Sequence, residues 1–452
     1  MKFVNVLFVV LLYCTHLSAQ VTLPNNLYFT HIGVEDGLCQ NTVCCILQDH
    51  LGFIWLGTKD GLTRYDGYRF RVFKHDAADP MSIGNNFIRV LYEDADGLIW
   101  IGTNVGVYIY NPETENFRKF DVATERGDVI SREVSSIKCD SSGDLWIGVN
   151  WQGVFRYDRR DESLELYEPV PGDTTSLSSV HVWDLCFDGD GNLWVGSQNG
   201  GLDRYDRETD RFVRHRLKGL SDVSRIVLDK QNQLLLGTMK DGLFSFNPYM
   251  GTCQPLLLDS GHKDLFVRAI FVRNSREVVV GTENGIYIYD CVTRKTRHVN
   301  QELGNPYSLS CKAVYSIYCD KEGALWIGTY FGGVNYLPPS SSLIFDKFYP
   351  IGHSDRLSGK AVREFVRDES GIIWIGTEDQ GLNRFDPVSG KFTHYNSRNS
   401  GLSCDNVHGL CVDGDRLYIG TFFGGFNIMD LKTNEIVALG SQMLPDDSVF
   451  SM

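Results

Sequence analysis

Apolar residues come along the chain in short runs that alternate with polar ones, and glycine, aspartate or asparagine closes each run. The stretch GLIWIGTNVGVYIYNPETENF, residues 97–117, shows the unit: an apolar run around a tryptophan, a glycine turn, a second alternating run and a polar turn. Such runs bounded by turn formers predict β-strands, and no 3.6-residue periodicity of useful length predicts a helix. Aligned on its tryptophan, the phrase occurs nine times, anchored at Trp55, Trp100, Trp146, Trp194, Leu235, Val279, Trp326, Trp374 and Tyr418. The spacing is about 45 residues, a period that means stacked blades or a solenoid.

Each position in the repeat has a physical reason. Two residues after every anchor stands a glycine, from Gly57 to Gly420, and glycine inside a strand marks a bulge or the close approach of another backbone. A second glycine follows four or five residues later, from Gly61 to Gly425, where a hairpin turn needs positive φ. Four residues further on stand Tyr65, Tyr110, Tyr157, Tyr205, Phe246, Tyr289 and Phe385, with Leu337 and Met429 as the exceptions. These rings are expected to pack with the anchors across the hairpin. Asp or Asn then starts a turn in eight of the nine copies, and a further strand such as RFRVF or NFRKF follows. Upstream of each anchor runs another apolar strand, such as FIRVLYED, ending in Asp six residues before the anchor in seven copies. Four short antiparallel strands per repeat are the content of one β-propeller blade.

Composition agrees. Of 452 residues 42% are hydrophobic, and 45 glycines stand against 13 prolines, which suits many short strands and tight turns and excludes disorder. The net charge of −14, with no run of Lys and Arg, argues against a phosphate-backbone binder, so no direct nucleic-acid contact is expected. Residues 1–20, MKFVNVLFVVLLYCTHLSAQ, join Lys2, an apolar run from Val4 to Tyr13 and a small-residue exit at Ser18 and Ala19. They read as a secretory signal, so the mature chain is expected to leave the cytoplasm. A lipid anchor at Cys14 is disfavoured by bulky Tyr13, and no later run approaches the roughly 20 apolar residues of a membrane span. Without Cys14, eleven cysteines remain, with no CxxC pair; no metal or cofactor is expected. Cys139, Cys186, Cys319 and Cys411 lie in apolar runs just before anchors and read as core packing, and adjacent Cys44 and Cys45 should face opposite sides of a strand.

The segments DADGLIWIGTNVGVYIYNP, SSGDLWIGVNWQGVFRYD, DGNLWVGSQNGGLDRYD and DESGIIWIGTEDQGLNRFD closely resemble the two-component regulator propeller repeat. The resemblance covers almost the whole mature chain and weakens where Leu235, Val279 and Tyr418 replace tryptophan. It implies the periplasmic sensor region of a hybrid two-component system, a class that detects breakdown products of complex polysaccharides in anaerobic gut bacteria. In that family two seven-bladed propellers precede an immunoglobulin-like domain, a membrane span, a histidine kinase, a receiver and a DNA-binding domain. An oligosaccharide ligand, a homodimeric parent and a phosphorelay are therefore implied, with kinase activity belonging to a longer protein and not to these residues. The expected fold is all-β: signal 1–20, a seven-bladed propeller over 21–340, and a partial second propeller of about two blades over 341–452. LPPSSSLI, residues 337–344, marks the boundary, NLYFTHIGVEDGL at the start supplies the outer strand of blade seven, and the final LPDDSVFSM resembles the start of another inner strand.

In a four-stranded blade the turn after the anchor strand shares a face with the loop entering the blade. Most residues in that turn are polar, as in Lys59 and Asp60 or Gln198 and Asn199; Trp151, Tyr330, Phe331, Phe422 and Phe423 are aromatic. Rings beside hydrogen-bonding groups, such as Gln152, suit a sugar, by stacking and hydroxyl recognition; the competing reading is packing against neighbouring loops or the other propeller. His181 and Trp183 in SSVHVWDL belong near the same face, His181 as a packing residue or a ligand contact. DGDGN, residues 188–192, imitates half a calcium loop but has Leu193 where glycine is required and Asn199 where the bidentate glutamate belongs, so it reads as a turn. The enzyme alternative is an extracytoplasmic polysaccharide lyase or glycosidase; the recurrence of Asp at equivalent turns argues structure, since a catalytic pair would be unique to one or two blades.

Overall fold

The computed structural model describes residues 22–215, 217, 220, 222–256, 265–339, 347–348, 356–439 and 448–449. The signal expected over residues 1–20 lies outside them, as do residues 340–344 of the proposed boundary and most of the C-terminal LPDDSVFSM. The chain divides into two compact units, Met1–Glu302 with Tyr307–Ile344, and Leu303–Pro306 with Phe345–Met452.

Among the described residues the fold is all-β: nine antiparallel sheets of four strands, an arrangement consistent with a β-propeller. The third sheet is representative, with Val134–Cys139, Leu145–Val149, Gly153–Asp158 and Ser163–Tyr167 pairing in chain order. The seventh breaks that order. Its strands Val314–Cys319, Leu325–Thr329 and Val334–Leu337 are completed by Thr30–Ile32, which pairs with Val334–Tyr336, the place that the half-repeat at the start predicts. Anchor strands such as Ile54–Thr58, Ile99–Thr103 and Leu145–Val149 are buried along their whole length. Neighbouring sheets cover both faces, which is why these strands read as continuous apolar runs.

The glycine two residues after each anchor is a socket for the next sheet. A Cβ on Gly102 would lie 2.6 Å from Val134 Cγ1, and on Gly237 or Gly281 2.6 Å from Val267 or Val314 Cγ1. Each valine begins the following sheet's first strand, so only glycine admits it. Gly328 of the seventh sheet receives Val43 of the first, 2.8 Å from its carbonyl oxygen. The seven first strands of this unit lie side by side in order, and the last lies against the first. In the other unit Gly376 receives Val407 and Gly420 receives Val449, whose N–H donates to the Thr421 carbonyl (3.1 Å).

The aromatic pairing differs from expectation. Tyr110 packs on Trp55 (ring centroids 5.0 Å), Tyr205 on Trp146 (4.7 Å) and Phe246 on Trp194 (5.3 Å), each ring against the preceding sheet's anchor rather than across its own hairpin. Register is the reason. Trp146 lies opposite Arg156 and Tyr157 opposite Leu145, so anchor and tyrosine point to opposite faces. Tyr65 meets Trp326 at 6.0 Å, the same contact between the first sheet and the seventh.

The repeated aspartate does more than open a turn. Trp55, Trp100, Trp146, Trp194, Trp326 and Trp374 each donate the indole N–H to the Asp six residues earlier, at 2.7–3.2 Å. Asp188 accepts in addition the N–H groups of Asp190 and Asn192, which makes DGDGN a turn. The Asp229 carboxylate, with Leu235 as anchor, accepts among the described residues only the N–H groups of Gln231 and Gln233.

One cysteine corrects the packing expectation: Cys411 is exposed, whereas Cys186 is buried and Cys139 and Cys319 are half-buried. Cys186 lies opposite Trp194 and is covered by the fifth sheet. Cys411, opposite Tyr418, takes the same face of the ninth sheet.

Candidate ligand-binding site

Two sets of residues meet on one side of the first unit: the turns after the anchor strands and the starts of the first strands. The turns are built alike. Thr58 Oγ1 donates to the Gly61 carbonyl (2.8 Å), and Thr103, Thr238, Thr282 and Thr329 do the same to their turn glycines. Backbone bonds tie six of this unit's turns to the next sheet's entering loop or their own, as where Trp151 N–H donates to the Val180 carbonyl (2.9 Å) and Tyr330 N–H to the Ala313 carbonyl (3.0 Å). Turn and entry loop therefore share a face, as expected.

On this frame Trp151 is 66% exposed and Phe331 69%; in the second unit Phe423 is 73% exposed. Trp151 (φ 70°) and Phe423 (φ 68°) also hold left-handed backbone at equivalent turn positions. That conformation costs a bulky residue of order 1–3 kcal/mol, and such outliers cluster at ligand clamps. His181 stands edge-on to Trp151 (4.1 Å between centroids), with Nδ1 hydrogen-bonded to Asn150 Oδ1 (3.2 Å), so these two predicted residues come together. Gln152 serves its own loop instead: its amide donates to the Val129 carbonyl (2.9 Å) and accepts the Ser131 N–H (3.0 Å). Tyr330 packs on Phe331 (4.1 Å) and Tyr315 (5.1 Å) and carries Lys59 over its ring (4.1 Å). In the second unit Phe422 stacks on His408 (5.4 Å) and touches Phe423 (4.1 Å).

Trp183 sits differently, at a β-bulge. The first strands of six sheets in this unit shift register by one residue near their start, at Cys44, Arg89, Ser135, Trp183, Arg268 and Tyr315. A bulge re-aims its extra residue out of the pleat. Trp183 faces Phe266 (6.1 Å), and its buried indole nitrogen has no hydrogen-bond partner among the described residues.

Asp203 was missed from sequence. Fully buried on the third strand of its sheet, it accepts the Ser178 N–H (2.8 Å) and hydroxyl (2.6 Å), and burial pushes its carboxyl up to about 6. Asn335, Asn383 and Asn427 hold Ser310, Ser358 and Ser403 in the same way. The signal was an Asp or Asn two residues after the turn glycine in four sheets. The arrangement thus offers exposed rings beside amide and imidazole groups, while the recurrent turn carboxylates are engaged by indole and backbone N–H groups.

Four segments match the family described as two component regulator propeller: residues 37–60, 82–105, 176–199 and 308–331. Histidine kinase P4 of Formosa agariphila is 39% identical over 59 residues, 13% of this chain and 4% of that protein. The extracellular domain of a hybrid two component system from B. thetaiotaomicron is similar in fold, with TM-score 0.69 and 24% identity over 91% of this chain and 66% of that one. A second such domain from the same organism gives 0.60 and 19%, over 92% and 60%. Virginiamycin B lyase from Staphylococcus aureus gives 0.53 and 12%, over 69% and 99%. The chain thus spans less than two thirds of these solved extracellular domains and a small part of the kinase. Among the described residues no helix is long and apolar enough to cross a membrane. By these matches the repeats anchored at Trp55, Trp100, Trp194 and Trp326 are two component regulator propeller repeats.

Proposed function

We propose that this chain is the periplasmic ligand-sensing portion of a hybrid two-component signalling protein. It recognises an oligosaccharide or related glycan breakdown product and controls transcription through kinase and DNA-binding parts not contained in this sequence. In this reading residues 21–340 form a seven-bladed propeller closed by Thr30–Ile32, and residues 341–452 hold the first blades of a second propeller, with Val449 seated on Gly420 where a further inner strand begins. The observation that carries the binding role is Trp151: a large ring, mostly in solvent, held in strained backbone beside His181. Neither hydrophobic burial nor backbone preference favours a tryptophan there, which leaves contact with something outside the fold.

Calorimetric titration of the 452-residue chain with oligosaccharides tests this, with product analysis on the same mixtures. Trp151→Ala should weaken binding by about 1–3 kcal/mol, the scale of one aromatic stacking contact, and leave the melting temperature unchanged. Unchanged affinity with a lowered melting temperature would assign the ring to packing, and accumulation of new fragments would make the protein a lyase or glycosidase instead of a sensor.

A further inference from the structure

The sequence contains no run of basic residues, yet the fold gathers four. Arg89 and Arg268 occupy first-strand bulges, Arg225 begins the first strand Arg225–Leu228 at the same level, and Lys59 lies in the turn after the first anchor strand. They come from four different sheets, so no window along the sequence reveals them. Contacts join them: Arg225 Nε donates to the Arg268 carbonyl (2.7 Å), Lys59 and Arg89 both lie over Phe87 (5.8 and 4.0 Å), and Lys59 and Arg268 lie over Tyr330 and Tyr315, whose rings are 5.1 Å apart. In agreement, burial pushes the thiol of Cys44, another bulge residue, up to about 11, and all four cations act on it in the opposing direction. In a chain of net charge −14 this is a local reversal of sign.

Two of the four are neutralised. Arg89 pairs with Glu133 (3.3 Å) while its Nε donates to Asn104 (2.7 Å), and Arg268 pairs with Glu283. The other two have no carboxylate partner among the described residues. Arg225 donates only to main-chain carbonyls, from Nε to Arg268 (2.7 Å) and from Nη1 to Ser224 (3.1 Å) and Trp183 (3.5 Å). Lys59 makes ring contacts, at 4.1 Å to Tyr330 and 5.8 Å to Phe87. Asp184, the nearest acid along the fourth sheet's first strand, accepts from Ser136, Leu185 and Ile226 and takes no arginine. The guanidinium groups are also fixed in place, Arg89 on Phe87 (4.0 Å) and Arg268 between Phe266 (4.1 Å) and Tyr315 (4.3 Å). The unmatched Arg225 guanidinium and Lys59 ammonium, beside the ring-held Arg89 and Arg268, suit an oxyanion, and the adjoining rings suit the sugar that bears it.

We infer that the side of the first unit lined by Lys59, Arg89, Arg225 and Arg268 binds an anionic group of the saccharide ligand, a carboxylate or a sulfate ester. This deepens the sensor reading and rests on it. Arg225 makes the contact that matters most, because its charge is unmatched, and Lys59 supplies a second from the rim.

The test uses the full chain and four probes: a hexuronic-acid trisaccharide, a sulfated disaccharide, and a neutral sugar of each length, titrated at low and high salt. The acidic probe whose anion fits should bind, weaken as salt rises, and lose about tenfold or more with Arg225→Gln. Which acidic arm responds distinguishes carboxylate from sulfate. Lys59→Gln, which removes only ring contacts, should give a smaller loss in the same direction and serves if Arg225→Gln lowers the melting temperature. Binding of neutral sugars with no effect of either variant overturns the anionic inference and leaves the sensor reading standing. Binding of none of the four overturns the anionic inference, and loss of all binding across a wider panel overturns the sensor reading as well.

Discussion

Replacing Gly281 by alanine places a Cβ 2.6 Å from Val314 Cγ1, 3.2 Å from Ile317 Cδ1 and 3.3 Å from Ala269 Cβ. Carbon atoms rest at about 3.5–4.0 Å, so the valine methyl must move by roughly an ångström. Gly281 has no positive φ, which leaves overpacking as the cost, about 1–3 kcal/mol. Val314→Ala alone empties the socket: the side chain is fully buried, and losing its two methyls costs roughly 1–3 kcal/mol. Combined, the changes compensate, because the new methyl enters the space that Val314 vacates. The double variant should then lose about 1–2 kcal/mol less than the sum of the single losses, a coupling typical of touching residues. Urea and thermal unfolding of the four proteins measure it, with about 2–4 °C of melting temperature per kcal/mol for a domain of this class. Additivity within about 0.5 kcal/mol would refute the socket and leave the repeated glycine to be explained by the strand alone.

The carboxyl of Asp203, pushed up to about 6 by burial, keeps in the folded state a proton that the unfolded chain releases near pH 4. Stability should therefore fall as pH rises from about 4 to about 6 and level off above, and Asp203→Asn, the residue at the equivalent place in three other sheets, should abolish that fall and add about 1–3 kcal/mol at pH 7; an unaltered pH profile of unfolding would sink this. Asp188→Ala orphans the buried Trp194 indole N–H and should cost about 1–3 kcal/mol more than Asp229→Ala, where the anchor is Leu235; equal losses would confine the repeated aspartate to its turn role.

Much of the fold was legible because it is written nine times. Strand content, the two glycines and the outer strand at Thr30–Ile32 follow from period, turn chemistry and register. The placement of the rings was legible in principle and misread. Tyr157 lies opposite Leu145 and not Trp146, and counting residues by twos across the hairpin separates the two faces. The indole bond to aspartate was not readable from spacing alone, since six residues around a turn become a contact only once the turn is built. The cationic cluster was invisible for a different reason: each member belongs to another sheet, and two of them, Arg89 and Arg268, are brought into place by a bulge, which breaks the alternation without a composition of its own.

That bulge is also where the repeat constrains side-chain chemistry least. The residue before it is valine or isoleucine in the six sheets concerned, Val43, Ile88, Val134, Val182, Val267 and Val314, because it must fill the preceding sheet's glycine socket. The residues after it return to the ladder and pair with the anchor strand. Only the extra residue is free of both duties, and only there does chemistry range from cysteine to arginine, serine, tryptophan and tyrosine. The second unit repeats the device with Arg363 and His408, between Val362 and Glu364 and between Val407 and Gly409. A repeat that fixes its packing residues and leaves the bulge position unconstrained can change that side chain without changing its core, and under the sensor reading proposed above specificity belongs to the bulge residues and the turns beside them.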